Sequence, residues 1–122
     1  MKRTVSGILL TLLFISVLSL ALDTQSAKAS GAVHIRIDGS VEPSDVPIHT
    51  TDNVTYMFTG NIYDEIIVER DDIVVDGAGY VIQGYWSGNG IYLSGRNNVT
   101  IKNMQILLFA YGIRLFNSSN IS

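Results

Sequence analysis

Apolar and polar residues alternate in short bursts along this chain, and the bursts recur. Ile91-x-Leu93, Val99-x-Ile101 and Met104-x-Ile106 each set like residues on one face of an extended backbone. Period two with β-branched residues predicts strands with one face buried. Gly, Asn, Asp and Ser separate the bursts too closely for a ten-residue helix. Laying "GIYLSGRNNVT" (90 to 100) over "GIRLFNSSNIS" (112 to 122) matches Gly90 with Gly112, Ile91 with Ile113, Leu93 with Leu115 and Asn98 with Asn120. A looser copy lies in "IIVERDDIVVDG". There Ile66 and Val68 replace Ile91 and Leu93, Asp72 replaces Asn98, and Ile73 and Val75 replace Val99 and Ile101. The step from Ile73 to Val99 is four positions longer than the step from Val99 to Ile121, and the surplus is assigned to an expanded loop at "GYWSGNG".

Three short strands per unit of about 22 residues predict a chain that coils so that each strand lies on its counterpart one turn earlier. That arrangement is a parallel β-helix, with adjacent strands roughly 4.8 Å apart. Three interior rows follow: Ile66, Ile91 and Ile113; Val68, Leu93 and Leu115; Ile73, Val99 and Ile121. Each buried side chain in such a row contributes on the order of 1.5 to 3 kcal/mol. A β-sandwich also uses short alternating strands, but gives no reason for the echo. Residues 30–60 read as an entry segment and N-terminal cap. "AVHIRIDGSV" alternates around Ile35 and Ile37, and "NVTYMFTG" through Val54, Tyr56 and Phe58. A solenoid end needs such a cover over its open core and unpaired backbone.

"DDIVVDGAGYVIQG", "GIYLSGRNNVTIKNMQI" and "FAYGIRLFNSSNIS" resemble the opening coils of right-handed parallel β-helix repeat proteins of the pectin-lyase-like class. That class includes NosD-type and carbohydrate-binding or sugar-hydrolase repeat modules of envelope proteins. The resemblance covers roughly residues 61–122. It implies an all-β, right-handed parallel β-helix with about three coils after its cap, and a last coil left incomplete at Ser122. For function it implies a structural or carbohydrate-binding surface with no catalytic residue in this stretch. The alternative is the N-terminal part of a polysaccharide lyase or glycoside hydrolase whose active-site coils are missing. The fold hosts many functions, so the motifs speak for architecture more than activity.

Outside the repeats, Lys2 and Arg3 precede an apolar run from Ile8 to Leu22, and a polar segment ends in Ala27-Lys28-Ala29. A basic start, an apolar run and a small-x-small site predict a secretory signal peptide over residues 1–29. A retained membrane anchor is the competing reading. Cleavage predicts a secreted or envelope location and a mature chain without a transmembrane span. It also removes three of the eight Lys and Arg and one of the eleven Asp and Glu, leaving five cations against ten carboxylates. That balance argues against a nucleic-acid partner. The chain has no cysteine, which excludes thiolate metal sites and disulfides.

Several residues invite a chemical reading. Asp72, Asn98 and Asn120 recur at one corner, and stacked interior amides there would form a structural ladder. Tyr85 and Trp86 in the expanded loop are candidates for stacking on sugar rings, with folding back over the solenoid flank as the alternative. Tyr92 and Arg114 are outward on successive strands, where an Arg beside an aromatic suits an anionic sugar. A polysaccharide or cell-surface glycan is therefore the expected partner. Asp64, Glu65, Glu69, Asp71, Asp72 and Asp76 crowd into thirteen residues. Calcium or an acid/base pair is one reading; the preferred one is water-facing turn and strand positions, with no cofactor and no metal site. The copper associated with NosD-type proteins finds here only His34, His49 and scattered methionines. Of four Asn-x-Ser/Thr sites, Asn53 and Asn117 are the expected accessible acceptors of a glycan, since the ladder turns Asn98 and Asn120 inward. An uncapped last coil predicts self-association through its open edge.

Overall fold

The computed structural model describes residues 31–122; the leader assigned to residues 1–29 and its cleavage point at Ala29 lie outside the described residues. The described chain is all-β. Its strands are β1 (Val33–Ile35), β2 (Val41–Glu42), β3 (Ile48–His49), β4 (Thr55–Phe58), β5 (Ile66–Val68) and β6 (Ile73–Asp76). They continue with β7 (Val81–Gln83), β8 (Asn89–Ser94), β9 (Asn97–Lys102), β10 (Gln105–Leu107), β11 (Tyr111–Phe116) and β12 (Ser119–Ile121). Among the described residues no helix is long and apolar enough to cross a membrane.

Three sheets take up these strands. The first has the order β11-β8-β5-β1-β2, the second β12-β9-β6-β4-β3, and the third pairs β10 with β7. A parallel bridge from Ile62 to Ile82 extends the third by one position. All pairs are parallel except β1 with β2 and β3 with β4, which close one edge of the two larger sheets antiparallel. Consecutive strands from β5 to β12 fall in the first, second and third sheet in turn. Each therefore hydrogen-bonds to the strand one circuit away rather than to its neighbour in sequence.

The registers coincide with the alignment read from the repeat. Ile66 pairs with Ile91 and Val68 with Leu93; Ile91 pairs with Ile113 and Leu93 with Leu115; Ile73 pairs with Val99 and Val99 with Ile121. Alternation puts these residues inside, where Ile66, Ile91, Leu93 and Val99 are completely buried. Ile113 and Leu115 are 44% and 49% exposed, because β11 is the outermost strand of its sheet. The four surplus positions of the longer repeat are divided. Two lie between β6 and β7 and two between β7 and β8, so the loop at residues 84–88 takes half of the expansion expected there.

Residues 33–58 do more than cap. β1 and β4 pair parallel with β5 and β6, so a first circuit precedes the one that opens at Ile66. Its interior is Val33, Ile35, Tyr56, Phe58 and Ile62, all 2% exposed or less. Ile37 is 75% exposed and Val54 45%, in contrast to the expected alternation. β1 stops at Ile35 before the turn at Asp38 and Gly39, and β4 begins only at Thr55, so both residues lie outside the strands and off the buried face. The Tyr56 hydroxyl, brought into the core by its ring, donates to the Gly39 carbonyl at 2.8 Å, which satisfies a group that burial would otherwise penalise. The covering role falls to β2 and β3. Both are two residues long and flanked by Pro43 or Pro47, features that blunt a sheet edge against further pairing.

The corner residues correct the inward ladder. Asp72, Asn98 and Asn120 are exposed, with φ of 58°, 57° and 53°. Asn53 holds the equivalent corner of the first circuit, with φ of 55°. Asn and Asp tolerate this left-handed conformation better than other side chains with a Cβ, so the recurrence meets a backbone demand. Of nine non-glycine residues with positive φ among the described residues, six are Asn or Asp. One rung of the ladder exists on the surface, where Asn98 Nδ2 donates to Asp72 Oδ1 at 2.9 Å. Asn120 turns instead to Asn97 Oδ1 at 2.8 Å, so the rung does not propagate.

Candidate functional site

The loop from Gly84 to Gly88 carries the most exposed aromatic side chains of the described residues. Tyr85 is 76% exposed and Trp86 78%. They do not fold back over the flank, the alternative that the sequence left open. Phe109 of the next circuit fills that place, against the face of Gly84 where a Cβ would otherwise stand. The loop is fixed by backbone bonds to that circuit: Gly84 N to Leu107 O at 2.9 Å, Trp86 N to Leu108 O at 2.8 Å and Tyr111 N to Gly88 O at 3.1 Å. Trp86 adopts φ of 67° and Leu108 φ of 59°, an unfavourable backbone for bulky residues.

Those contacts lead to β11, whose outward side continues the site. The Arg114 guanidinium lies 5.1 Å from the centroid of the Tyr111 ring, within cation–π range. Arg114 is also the register partner of Tyr92 on β8. Tyr92 and Arg114 are thus adjacent as expected. Tyr111 is the member that sequence reading missed. Its signal was present, three residues before Arg114 and 57% exposed, but nothing in a sequence places a ring under a particular guanidinium. The outward row through this pair runs Arg114, Tyr92, Ile67, His34, Glu42, so its carboxylate stands three strands from Tyr92, where Arg36 engages it at 2.7 Å.

The six crowded carboxylates are drawn apart rather than together. Asn89 Nδ2 donates to Glu65 at 2.7 Å, and the Asn97 backbone N–H to Asp71 at 3.0 Å. Asp76 accepts from the Ala78 backbone N–H at 2.9 Å and from Asn103 Nδ2 at 3.1 Å; these bonds hold its carboxyl below the ordinary range. Asp64 is half-buried and burial pushes its carboxyl up. Among the described residues no group of three or more His, Asp or Glu is placed to hold a metal ion. His34 and His49 belong to different sheets.

An open cleft of about 380 Å³ lies at the corner between β5 and β6, bordered by Asn53, Glu69, Arg70, Asp71 and Arg96. Its two cations are engaged in joining circuits. Arg70 donates to the Ile37 carbonyl at 2.6 Å and the Asn53 carbonyl at 3.1 Å, and Arg96 to the Glu69 carbonyl at 2.7 Å. Beside it, His34 Nδ1 donates to Glu69 Oε1 at 2.8 Å, and Arg36 bridges Glu69 at 3.4 Å and Glu42 at 2.7 Å. This network ties β2, β1 and the end of β5 together.

The His34 hydrogen bond, with the Arg36 charge behind it, holds the Glu69 carboxyl below its ordinary value of 4.5. The stability this contributes is complete above that value and is lost as pH falls through the lowered one. Thermal midpoints measured through the acid range are therefore expected to fall below about pH 4.5, and less steeply in Glu69→Gln. Parallel acid limbs for the two proteins would assign the acid loss to other carboxylates.

No family model matches the chain, and neither a curated protein nor a solved structure matches it.

Proposed function

We propose that the chain is an exported or envelope-attached protein whose described residues form a right-handed parallel β-helix of the pectin-lyase-like kind. Its outer wall binds a polysaccharide or cell-surface glycan without cutting it. The helix reading draws support from the parallel pairing of each strand with its counterpart one circuit away, and from the matching interior rows. Export rests on the leader-like sequence of residues 1–29.

One observation carries the binding reading: Tyr85 and Trp86 stand out into solvent on a loop whose backbone is pinned to the next circuit. Exposed aromatic faces held on a fixed backbone lose little freedom when a sugar ring stacks on them. Tyr111, Arg114 and Tyr92 extend the surface along β11 and β8 with a cation and hydroxyl donors. Glu65, Glu69, Asp71, Asp72 and Asp76 are each hydrogen-bonded to a neighbouring circuit, which favours holding a glycan over cleaving one.

A glycan array probed with the purified chain tests the reading. Trp86→Ala is expected to weaken the bound glycan about tenfold, the scale of losing one aromatic anchor. Its thermal midpoint should stay within a degree or two of the parent, because the side chain contributes little to the core. An array without any bound glycan would remove the binding reading. Release of reducing sugar would replace it with the hydrolase or lyase alternative.

A further inference from the structure

The geometry points to Asn53 as the acceptor of an N-linked glycan. The inference rests on the export reading above, because oligosaccharide transfer of this kind acts on exported chains. The sequence offers four Asn-x-Ser/Thr sites, at Asn53, Asn98, Asn117 and Asn120. All four asparagines are exposed and all four have positive φ, so neither accessibility nor backbone shape separates them. Hydrogen bonding does.

The transfer needs two groups of the acceptor: the asparagine amide nitrogen, which reacts, and the hydroxyl two residues on, which the transferring enzyme recognises. At Asn98 the amide nitrogen is donated to Asp72 at 2.9 Å, and the Thr100 hydroxyl lies 3.1 Å from that of Ser122. At Asn120 the amide is donated to Asn97 at 2.8 Å, and its Ser122 hydroxyl is the partner of Thr100. At Asn117 the amide is open, but the Ser119 hydroxyl donates to Asn97 Oδ1 at 3.0 Å. At Asn53, neither the amide nitrogen nor the Thr55 hydroxyl is engaged among the described residues.

The turn that carries Asn53 is also built to present it. Asp52 Oδ1 accepts from the backbone N–H of Val54 at 3.0 Å and of Thr55 at 2.9 Å, and the Asn53 carbonyl is held by Arg70. The side chain rests on Gly39, where an added Cβ would come 2.8 Å from Asn53 Cγ. The corner therefore fixes the backbone while leaving the reacting nitrogen and the recognised hydroxyl unoccupied. In the reaction the nitrogen bonds to the anomeric carbon of a lipid-pyrophosphate-linked oligosaccharide. The anomeric C–O bond breaks, the lipid pyrophosphate leaves, and the amide proton passes to base, with no oxidation or reduction.

The full chain, made in a cell that supplies such a donor and its transferase, would be recovered after export and weighed intact by mass spectrometry. One discrete glycan increment is expected in the parent and in Asn117→Gln, and none in Asn53→Gln. Asn53→Asp, which suits the same backbone conformation, should likewise lose the increment while keeping the parent's near-ultraviolet dichroism, showing that the loss is not one of fold. An exported chain without the increment, or an increment that survives both Asn53 variants, overturns the assignment. A chain retained in the cell with its leader-like segment intact overturns the export reading instead, and this assignment with it.

Discussion

Ile91→Ala is expected to destabilise the chain by about 3 kcal/mol, the middle of the range for deleting a buried aliphatic side chain. Ile113→Ala, the same change at the same place in the repeat, is expected to cost about 1 kcal/mol, because less is buried there to lose. Ile91 is completely buried between Ile66 and Ile113 in the first sheet, so truncation leaves a void lined on both sides. Ile113 has Ile91 on one side and is 44% exposed, so it gives up less contact and its neighbours can relax into water. A domain of this size has a total stability of roughly 5 to 15 kcal/mol. The Ile91 substitution thus removes a large part of it and is expected to lower the thermal midpoint by about 15 °C. Equal losses at the two sites in denaturant titrations of the full chain would mean that Ile113 is covered in solution.

Gly90→Ala is expected to cost about 3 kcal/mol as well, by overpacking instead of by a cavity. A Cβ on Gly90 would press into the carbonyl oxygen of Gly112 and stand 2.7 Å from Ile106 Cγ2. The oxygen belongs to the backbone of β11, so relief requires the strand itself to shift. At Gly112 the nearest atom to an added Cβ is Ile106 Cγ2 at 3.7 Å, an ordinary contact. Gly112→Ala should change stability by less than about 0.5 kcal/mol, the usual scale of an unconstrained site. Urea denaturation of the pair is the measurement, and a harmless Gly90→Ala would show that β8 and β11 are further apart than the structure has them.

These pairs show where the reading of the sequence succeeded. The rows of Ile66, Ile91 and Ile113 and of Ile73, Val99 and Ile121 were legible because the same interior demand returns at nearly the same interval. The first circuit was not legible as a circuit. β2 and β3 lie between β1 and β4, so the step from Val33 to its partner Ile66 is half as long again as the step from Ile91 to Ile113. The alternation through Tyr56 and Phe58 remained visible, but its partner in space was not.

The corner asparagines were found for the wrong physical reason. An interior amide stack and a left-handed backbone both select Asn, so recurrence alone does not separate them. The positive φ values and the exposure of Asn53, Asp72, Asn98 and Asn120 do. At the candidate site, Tyr85, Trp86 and Arg114 were legible as exposed positions, and the half-buried Tyr92 as the outward neighbour of Arg114. Tyr111 was not, because its role comes from the approach of Arg114 across its ring.

The sequence by itself determined which side of each strand is apolar, which residues share a row, and that the described chain is built of strands. These are local properties: an extended backbone sends successive side chains to opposite faces whatever surrounds it. The tertiary structure decided which copy of a repeated residue is buried, which glycine has no room for a Cβ and which Asn-x-Ser/Thr site keeps both its amide and its hydroxyl unbonded. Each of these depends on the circuit lying alongside, and so on atoms a whole repeat away along the chain. Identical residues in a repeat therefore become inequivalent through their neighbours, as Ile91 and Ile113, or Gly90 and Gly112, are here.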